Sequence, residues 1–274
     1  MRPIETGLSN RTLDRVILVP KLLEYLEFAK QSVKLVAADF KQQDRNQYDR
    51  ITAVSLAGKE TKIVADTELE GRLLKLISTT GISVFSEESG LITQGSDASL
   101  LWVLDPLDGS VNYLRRVGPS AISLALCQND HPIFGVIYSL DHDTMSWGGY
   151  GFGSWTGETR LSVSANSTSS NSILCTGFPS RFNFLNDKNL RGYTNLFRNF
   201  SKVRMLGSAA TSLLMVAQGK ADAYYESDIM FWDIAAGMAL VEGAGGTLAL
   251  TFRDLASPCV LTATNSKLII PSIS

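Results

Sequence analysis

Histidine and cysteine are both scarce, and the scarcity narrows the chemistry open to this chain. Its 274 residues include two histidines and three cysteines. Cys127, Cys175 and Cys259 are odd in number, widely spaced and free of CxxC or Cys/His spacing, which argues against a disulfide framework and against a zinc site. His131 and His142 fall in polar stretches with no partner at ligand spacing, so histidine chemistry has no centre here. Charge of one sign is lacking too. Twenty-five Lys and Arg face 27 Asp and Glu, a net charge of -2, and no global field draws the chain to nucleic acid or to an anionic membrane. No run approaches the roughly 18 uninterrupted apolar residues of a membrane span. The first twenty residues are broken by Arg2, Glu5, Arg11, Asp14 and Arg15 and do not read as an export signal. With the free cysteines, these features predict a soluble, cytoplasmic protein with no nucleic-acid or membrane partner. No internal repeat of fixed period is present.

Apolar residues, 45% of the chain, suffice for one large α/β unit or two closely packed halves. Leu22, Leu26, Ala29, Val33 and Val36 recur at helical spacing. The polar stretch Asp39 to Glu60 then reads as a loop or lid. Leu69, Leu73, Leu76 and Ile77 predict a second helix that begins just after Asp66 and ends near Gly81. Short β-rich runs follow at Ile82–Phe85, Leu100–Leu104, Ala121–Cys127 and Ile133–Ser139. Ser162 to Ser172, rich in Ser, Thr and Asn, marks a seam, so the expected division is residues 1–161 and 162–274. Beyond it, a helix over Ser208–Gln218 is entered through Gly207-Ser208 and left at Gly219. Another runs over Asp233–Val241, and a strand over Thr247–Thr251. Strands set beside helices imply a layered α/β sandwich.

The densest chemical signal is Trp102-Val-Leu-Asp105-Pro106-Leu107-Asp108-Gly109-Ser110, where an apolar strand runs into two carboxylates separated by a proline turn. Pro106 fixes φ and has no N–H, while Gly109 permits backbone geometry closed to other residues. The amides of Gly109 and Ser110 can then point at an anion. Upstream lies Ser86-Glu87-Glu88-Ser89, and downstream Trp232-Asp233 opens an apolar helix. Taken singly, these acids read as an Asx turn, a solvated acid or a helix cap. Hard divalent cations of the magnesium type call for several carboxylates and carbonyls, and this sequence supplies them.

These residues resemble the magnesium-dependent, lithium-sensitive phosphatases typified by inositol monophosphatase. The likeness rests on three ordered motifs: Glu87-Glu88, Asp105-Pro106-Leu107-Asp108-Gly109-Ser110, and Trp232-Asp233-Ile234-Ala235-Ala236-Gly237 followed by Glu242-Gly243-Ala244-Gly245-Gly246. The resemblance implies a layered αβαβα sandwich of the sugar-phosphatase type with mixed sheets, a homodimer, and two or three magnesium ions per site. It implies that Glu87, Asp105 and the carbonyl of Leu107 hold one ion, and that Asp105, Asp108 and Asp233 hold a second. By the same likeness, Asp66 and the Ser110 hydroxyl orient the attacking water, and the Gly109 and Ser110 amides receive the phosphate. Glu226, closing Gly219-Lys-Ala-Asp-Ala-Tyr-Tyr-Glu226, matches the residue that contacts substrate hydroxyls, and Gly207-Ser208-Ala209 matches the neighbouring wall. A plain cap competes for Ser208, and a solvated strand-end acid for Glu226. The activity implied is hydrolysis of a small phosphate monoester, inositol monophosphate or a similar polyol phosphate. The rivals are the same chemistry on histidinol phosphate, a 3'-phosphoadenosine 5'-phosphate-type nucleotide or fructose bisphosphate, and a weakly catalytic binding or regulatory protein that keeps the fold.

Overall fold

The computed structural model describes residues 15–44, 53–55, 62–95, 99–178 and 182–270. Helix α1 (Arg15–Asp44) carries the first apolar stripe, with Leu26, Ala29, Val33, Val36 and Ala37 all buried. The stripe continues to Phe40, which is 5% exposed, and Asp39 accepts from Arg72 at 2.6 Å. Residues 39–44 are therefore helical where the sequence reading placed the start of a loop. A buried aromatic one turn beyond Val36 keeps the helix going. Of the remaining segment, β1 (Ala53–Ser55) is described and pairs with β2 (Lys62–Ile63); the rest of the expected lid lies outside the described residues.

Helix α2 (Val64–Ile77) begins two residues before Asp66, not after it. Asp66 sits in the first turn and its Oδ2 accepts from Ile63 N–H at 2.8 Å, satisfying one of the amides that a helix start leaves without a partner. α1 and α2 pack on one face of a mixed sheet of eight strands, and Trp102, Leu104, Leu124 and Phe134 fill the space between. Its members are β3 (Ser83–Ser86), β4 (Gly90–Ile92), β5 (Leu100–Asp108), β6 (Ala121–Gln128), β7 (His131–Ser139), β8 (Thr144–Gly149), β9 (Gly153–Thr156) and β10 (Thr159–Arg160), in the order β10-β9-β8-β7-β6-β5-β3-β4. Strand β5 extends through the Asp-Pro-Leu-Asp stretch, which the sequence reading had turning away after Leu104. Asp105 pairs with Ser123 and Asp108 with Ala121, and the register shifts between them. A bulge at Pro106-Leu107 is how a strand accommodates a residue without an N–H. The short helix α3 (Ser110–Arg115) follows.

After the Ser162–Ser172 stretch, which contains no strand or α-helix, a second mixed sheet of five strands forms. It holds β11 (Ile173–Thr176), β12 (Lys202–Arg204), β13 (Ala223–Ile229), β14 (Thr247–Thr251) and β15 (Cys259–Thr264), in the order β12-β11-β13-β15-β14. Helix α4 (Asp187–Arg198) covers its outer face through Tyr193 and Leu196, packed with Leu174, Ala223 and Tyr225. Helices α5 (Ala209–Ala217) and α6 (Phe231–Gly243) lie between the two sheets. One core cluster joins their Leu213, Ile234 and Met238 to Val103 and Ala125 of the large sheet and to Tyr224 and Leu261 of the small one. The layers thus run helix, sheet, helix, sheet, helix, as the sequence implied. Close approach of α6 to the large sheet depends on Gly135, where a Cβ would lie 2.4 Å from the Ala236 carbonyl oxygen.

Candidate functional site

Three elements deliver the acids. Strand β3 ends at Ser86, and the tight turn Glu87-Glu88-Ser89 leads into β4. The Glu87 amide donates to the Leu104 carbonyl at 3.2 Å, placing this residue beside Asp105 on β5. Asp233 stands in the first turn of α6, where its Oδ2 accepts from Met230 N–H at 3.1 Å, a position that also suits a negative charge. Glu87, Asp105 and Asp233 each present an oxygen, and these oxygens lie within 4.8 Å of one another.

Electrostatics of this group are severe. Asp105 is 1% exposed; burial, followed by repulsion from Glu87, Asp108 and Asp233, holds its carboxyl well above the usual carboxylate range. Glu87 is an exposed residue whose carboxyl nevertheless lies among protein atoms, and burial of that group followed by repulsion from Asp233 pushes it up to about 8. Acids this close cannot all be ionised unless cations sit among them; otherwise some of them keep a proton. The donors are carboxylate oxygens without imidazole or thiolate, the set that a hard divalent cation prefers. On both counts the residues present fit such an ion.

Asp108 does not join the three. Its Oδ2 accepts from Ser208 Oγ at 2.5 Å and from Ala210 N–H at 2.8 Å, while its Oδ1 accepts from Ala209 N–H at 3.2 Å. It is anchored at the start of α5, and burial raises its carboxyl to about 6 against the opposing pull of these bonds. Ser208 is also the α5 cap, accepting from Thr211 N–H at 3.2 Å. The competing sequence reading of Ser208 as a cap therefore describes its present bonds, with the grip on Asp108 added. Leu107 is buried and donates its N–H to Asp105 Oδ1 at 3.0 Å. Gly109 takes φ +84°, and a Cβ there would meet the Pro119 carbonyl oxygen at 2.7 Å; only glycine fits both demands. Ser110 begins α3 directly after it.

Glu226 lies on β13 with its head buried, 6% exposed. Its Oε2 accepts from Tyr224 Oη at 2.9 Å, and burial, only partly offset by that bond, raises its carboxyl to about 7. The solvated reading does not describe it. Three residues that support the site escaped the sequence reading. Tyr224 orients Glu226 through its hydroxyl. Gly177 leaves the space that the Glu226 carboxylate occupies, since a Cβ there would lie 2.6 Å from Oε2. Asn112 donates from Nδ2 to the Leu206 carbonyl at 2.7 Å and the Pro119 carbonyl at 2.9 Å. It thereby ties the α3 corner to the loop before Ser208. Tyr224 lies two residues before Glu226 on β13, the period at which a strand sets side chains on one face, whereas spacing offers no signal for Gly177, which follows β11.

Comparison with known proteins gives the chain its relatives. The sequence profile of the inositol monophosphatase family matches residues 22–272. A fructose-1,6-bisphosphatase/inositol-1-monophosphatase of Aquifex aeolicus is 33% identical over 171 residues, covering 61% of this chain and 62% of that protein. A protein named Nus factor SuhB, from Xylella fastidiosa, is 37% identical over 163 residues, covering 60% of this chain and 58% of its own length. The chain thus spans about three fifths of these curated relatives. Among solved structures, the inositol monophosphatase from Anabaena (Nostoc) sp. PCC 7120 superposes with a TM-score of 0.72 at 30% identity, over 90% of this chain and 92% of that one.

Proposed function

The chain belongs to the inositol monophosphatase family, and we propose that it is a magnesium-dependent phosphatase acting on inositol monophosphate or a similar small polyol phosphate. The observation that carries this reading is the meeting of Glu87, Asp105 and Asp233 oxygens within 4.8 Å. In this reading Glu87, Asp105 and the Leu107 carbonyl would hold one ion, Asp105 and Asp233 would hold a second together with Asp108, whose carboxylate would have to turn from its bonds at the start of α5, and the site would take two or three magnesium ions in all. When bound, such ions neutralise charge on the phosphate oxygens and acidify a water. The protein does the positioning. Asp66, fixed in the first turn of α2 by Ile63 N–H, and the Ser110 hydroxyl orient the attacking water. The Gly109 and Ser110 amides donate to the phosphate. Gly207, Ser208 and Ala209 form a wall, and the buried Glu226 carboxylate accepts from substrate hydroxyls. Residues 1–161 bring most of the metal-holding groups; 162–274 bring Asp233 and the residues that choose the substrate.

Phosphate release from inositol monophosphate, histidinol phosphate, a bisphosphate nucleotide and fructose bisphosphate, with magnesium or with chelator, tests the reading. It expects metal-dependent release with the polyol monophosphate preferred. Undiminished release in chelator, or none from any ester, counts against it. The family reading also carries lithium inhibition, a homodimer and a cytoplasmic location. Unchanged turnover in millimolar-scale lithium and a monomer by light scattering would remove the first two.

A second reading has its own support in the relative named Nus factor SuhB: a regulatory binding protein that keeps the fold and turns over weakly. Asp105→Asn separates the two in cells. It abolishes hydrolysis under the first reading and leaves any binding role intact under the second.

A further inference from the structure

Glu70 lies one turn beyond Asp66 on α2, points inward and is 5% exposed. A buried carboxylate must be satisfied by donors, and both of its donors come from one residue of the acidic turn. Ser89 N–H donates to Glu70 Oε1 at 3.0 Å, and Ser89 Oγ donates to Oε2 at 2.8 Å. Ser89 is the last residue of the three-residue turn whose first is Glu87, and the strands on either side pair through Ser86 and Gly90. The near end of the turn is pinned by Glu87 N–H on the Leu104 carbonyl. Glu70 pins the far end. Without it, the three turn residues between the paired Ser86 and Gly90 would be held only through the Glu87 amide, and the exposed Glu87 would ride on that turn.

We propose that Glu70 is a positioning residue whose two-pronged hold on Ser89 fixes the Glu87 carboxylate in register with Asp105 and Asp233 for divalent-cation binding. The inference rests on the metal reading of that trio. It assigns α2 two tasks from adjacent turns: Asp66 faces the reacting water, and Glu70 sets a ligand in place from behind. The hold is geometric. A Gln at position 70 keeps an oxygen for Ser89 N–H and offers an N–H to the Ser89 hydroxyl, so it preserves both bonds while removing the charge.

The test is manganese binding to the purified full-length protein, followed by electron paramagnetic resonance, with thermal melting recorded beside it. Glu70→Ala weakens manganese binding by about tenfold or more, the scale on which outer hydrogen-bond partners support metal ligands, at temperatures where the variant remains folded. Glu70→Gln recovers most of the affinity. Ser89→Ala shows an intermediate loss, and adding it to Glu70→Ala costs nothing further, because the two act through one contact. Undiminished affinity in Glu70→Ala overturns the proposal. Equal losses in Glu70→Gln and Glu70→Ala overturn it as well, since charge and not hydrogen bonding would then be at work. Should Glu70→Ala fail to fold, Ser89→Ala with wild-type affinity overturns it alone. Failure of the wild-type protein to bind manganese removes the metal reading and this inference together, a result distinct from all of these.

Discussion

Divalent-metal binding should release protons, and the structure sets the size of the effect. Glu87 is pushed up to about 8, and Asp105, in hydrogen-bonding contact with it, is raised as well. At pH 7 the metal-free pair therefore keeps at least one proton. A carboxylate must give up that proton to coordinate a cation. One displaced proton makes affinity rise about tenfold per pH unit until the pH passes the raised value, near 8. The sign for folding runs the other way. These carboxyls hold protons in the folded metal-free protein that unfolded ones, titrating at 4.5 for Glu87 and 3.8 for Asp105, have lost. Metal-free stability therefore falls as pH climbs from about 4.5 to about 8, and added magnesium restores more of it at pH 8 than at pH 6.5. Calorimetric titration with manganese in buffers of different ionisation enthalpy at pH 6.5, 7.25 and 8 measures both the proton count and the slope. A dissociation constant that stays the same across that range, with no proton released, refutes the claim that these acids are the ligands.

Other consequences are simpler to reach. Gly177→Ala places a methyl 2.6 Å from Glu226 Oε2, so the carboxylate must move; relative rates across the ester panel should shift while manganese affinity holds, and unchanged rate ratios would release Glu226 from a role in substrate choice. Asn112→Ala deprives the Leu206 and Pro119 carbonyls of their donor and should cost about 1 to 2 kcal/mol by urea denaturation; a loss below about 0.5 kcal/mol would mean that water replaces it. Cys127, Cys175 and Cys259 are buried, and burial holds all three thiols above their ordinary range, Cys175 and Cys259 at about 12. Maleimide at pH 8 should label none of them in the folded protein and all three in denaturant by mass spectrometry, with rapid labelling of the folded protein counting against this burial.

The layered fold was legible where burial has a simple period. The stripes on α1, α2, α5 and α6 face packed sheets, and the apolar runs of β5, β6 and β7 are buried on both faces. Errors fell at element ends, where a single residue decides. Phe40 carries α1 six residues into the expected loop, Asp66 lies inside its helix because the Ile63 amide needs a partner, and β5 outlasts Pro106 by absorbing it in a bulge. Ordered acidic motifs pointed to Glu87, Asp105 and Asp233, which do converge. Asp108 was legible as an acid but not in its present bonds, because its donors lie about a hundred residues downstream. Contacts between separate elements also conceal Gly177, which leaves room for the Glu226 carboxylate, and Glu70, which holds Ser89, whereas Tyr224 stands at strand spacing from Glu226 and was within reach of the sequence.

The most direct measurement is a crystal structure of the protein grown with manganese, read by anomalous scattering. The account predicts an anomalous peak at bonding distance from carboxylate oxygens of Glu87, Asp105 and Asp233, lost in Asp105→Asn. A manganese ion bound elsewhere, with those three oxygens still gathered and none of them touching it, would contradict the claim on which the proposed chemistry stands.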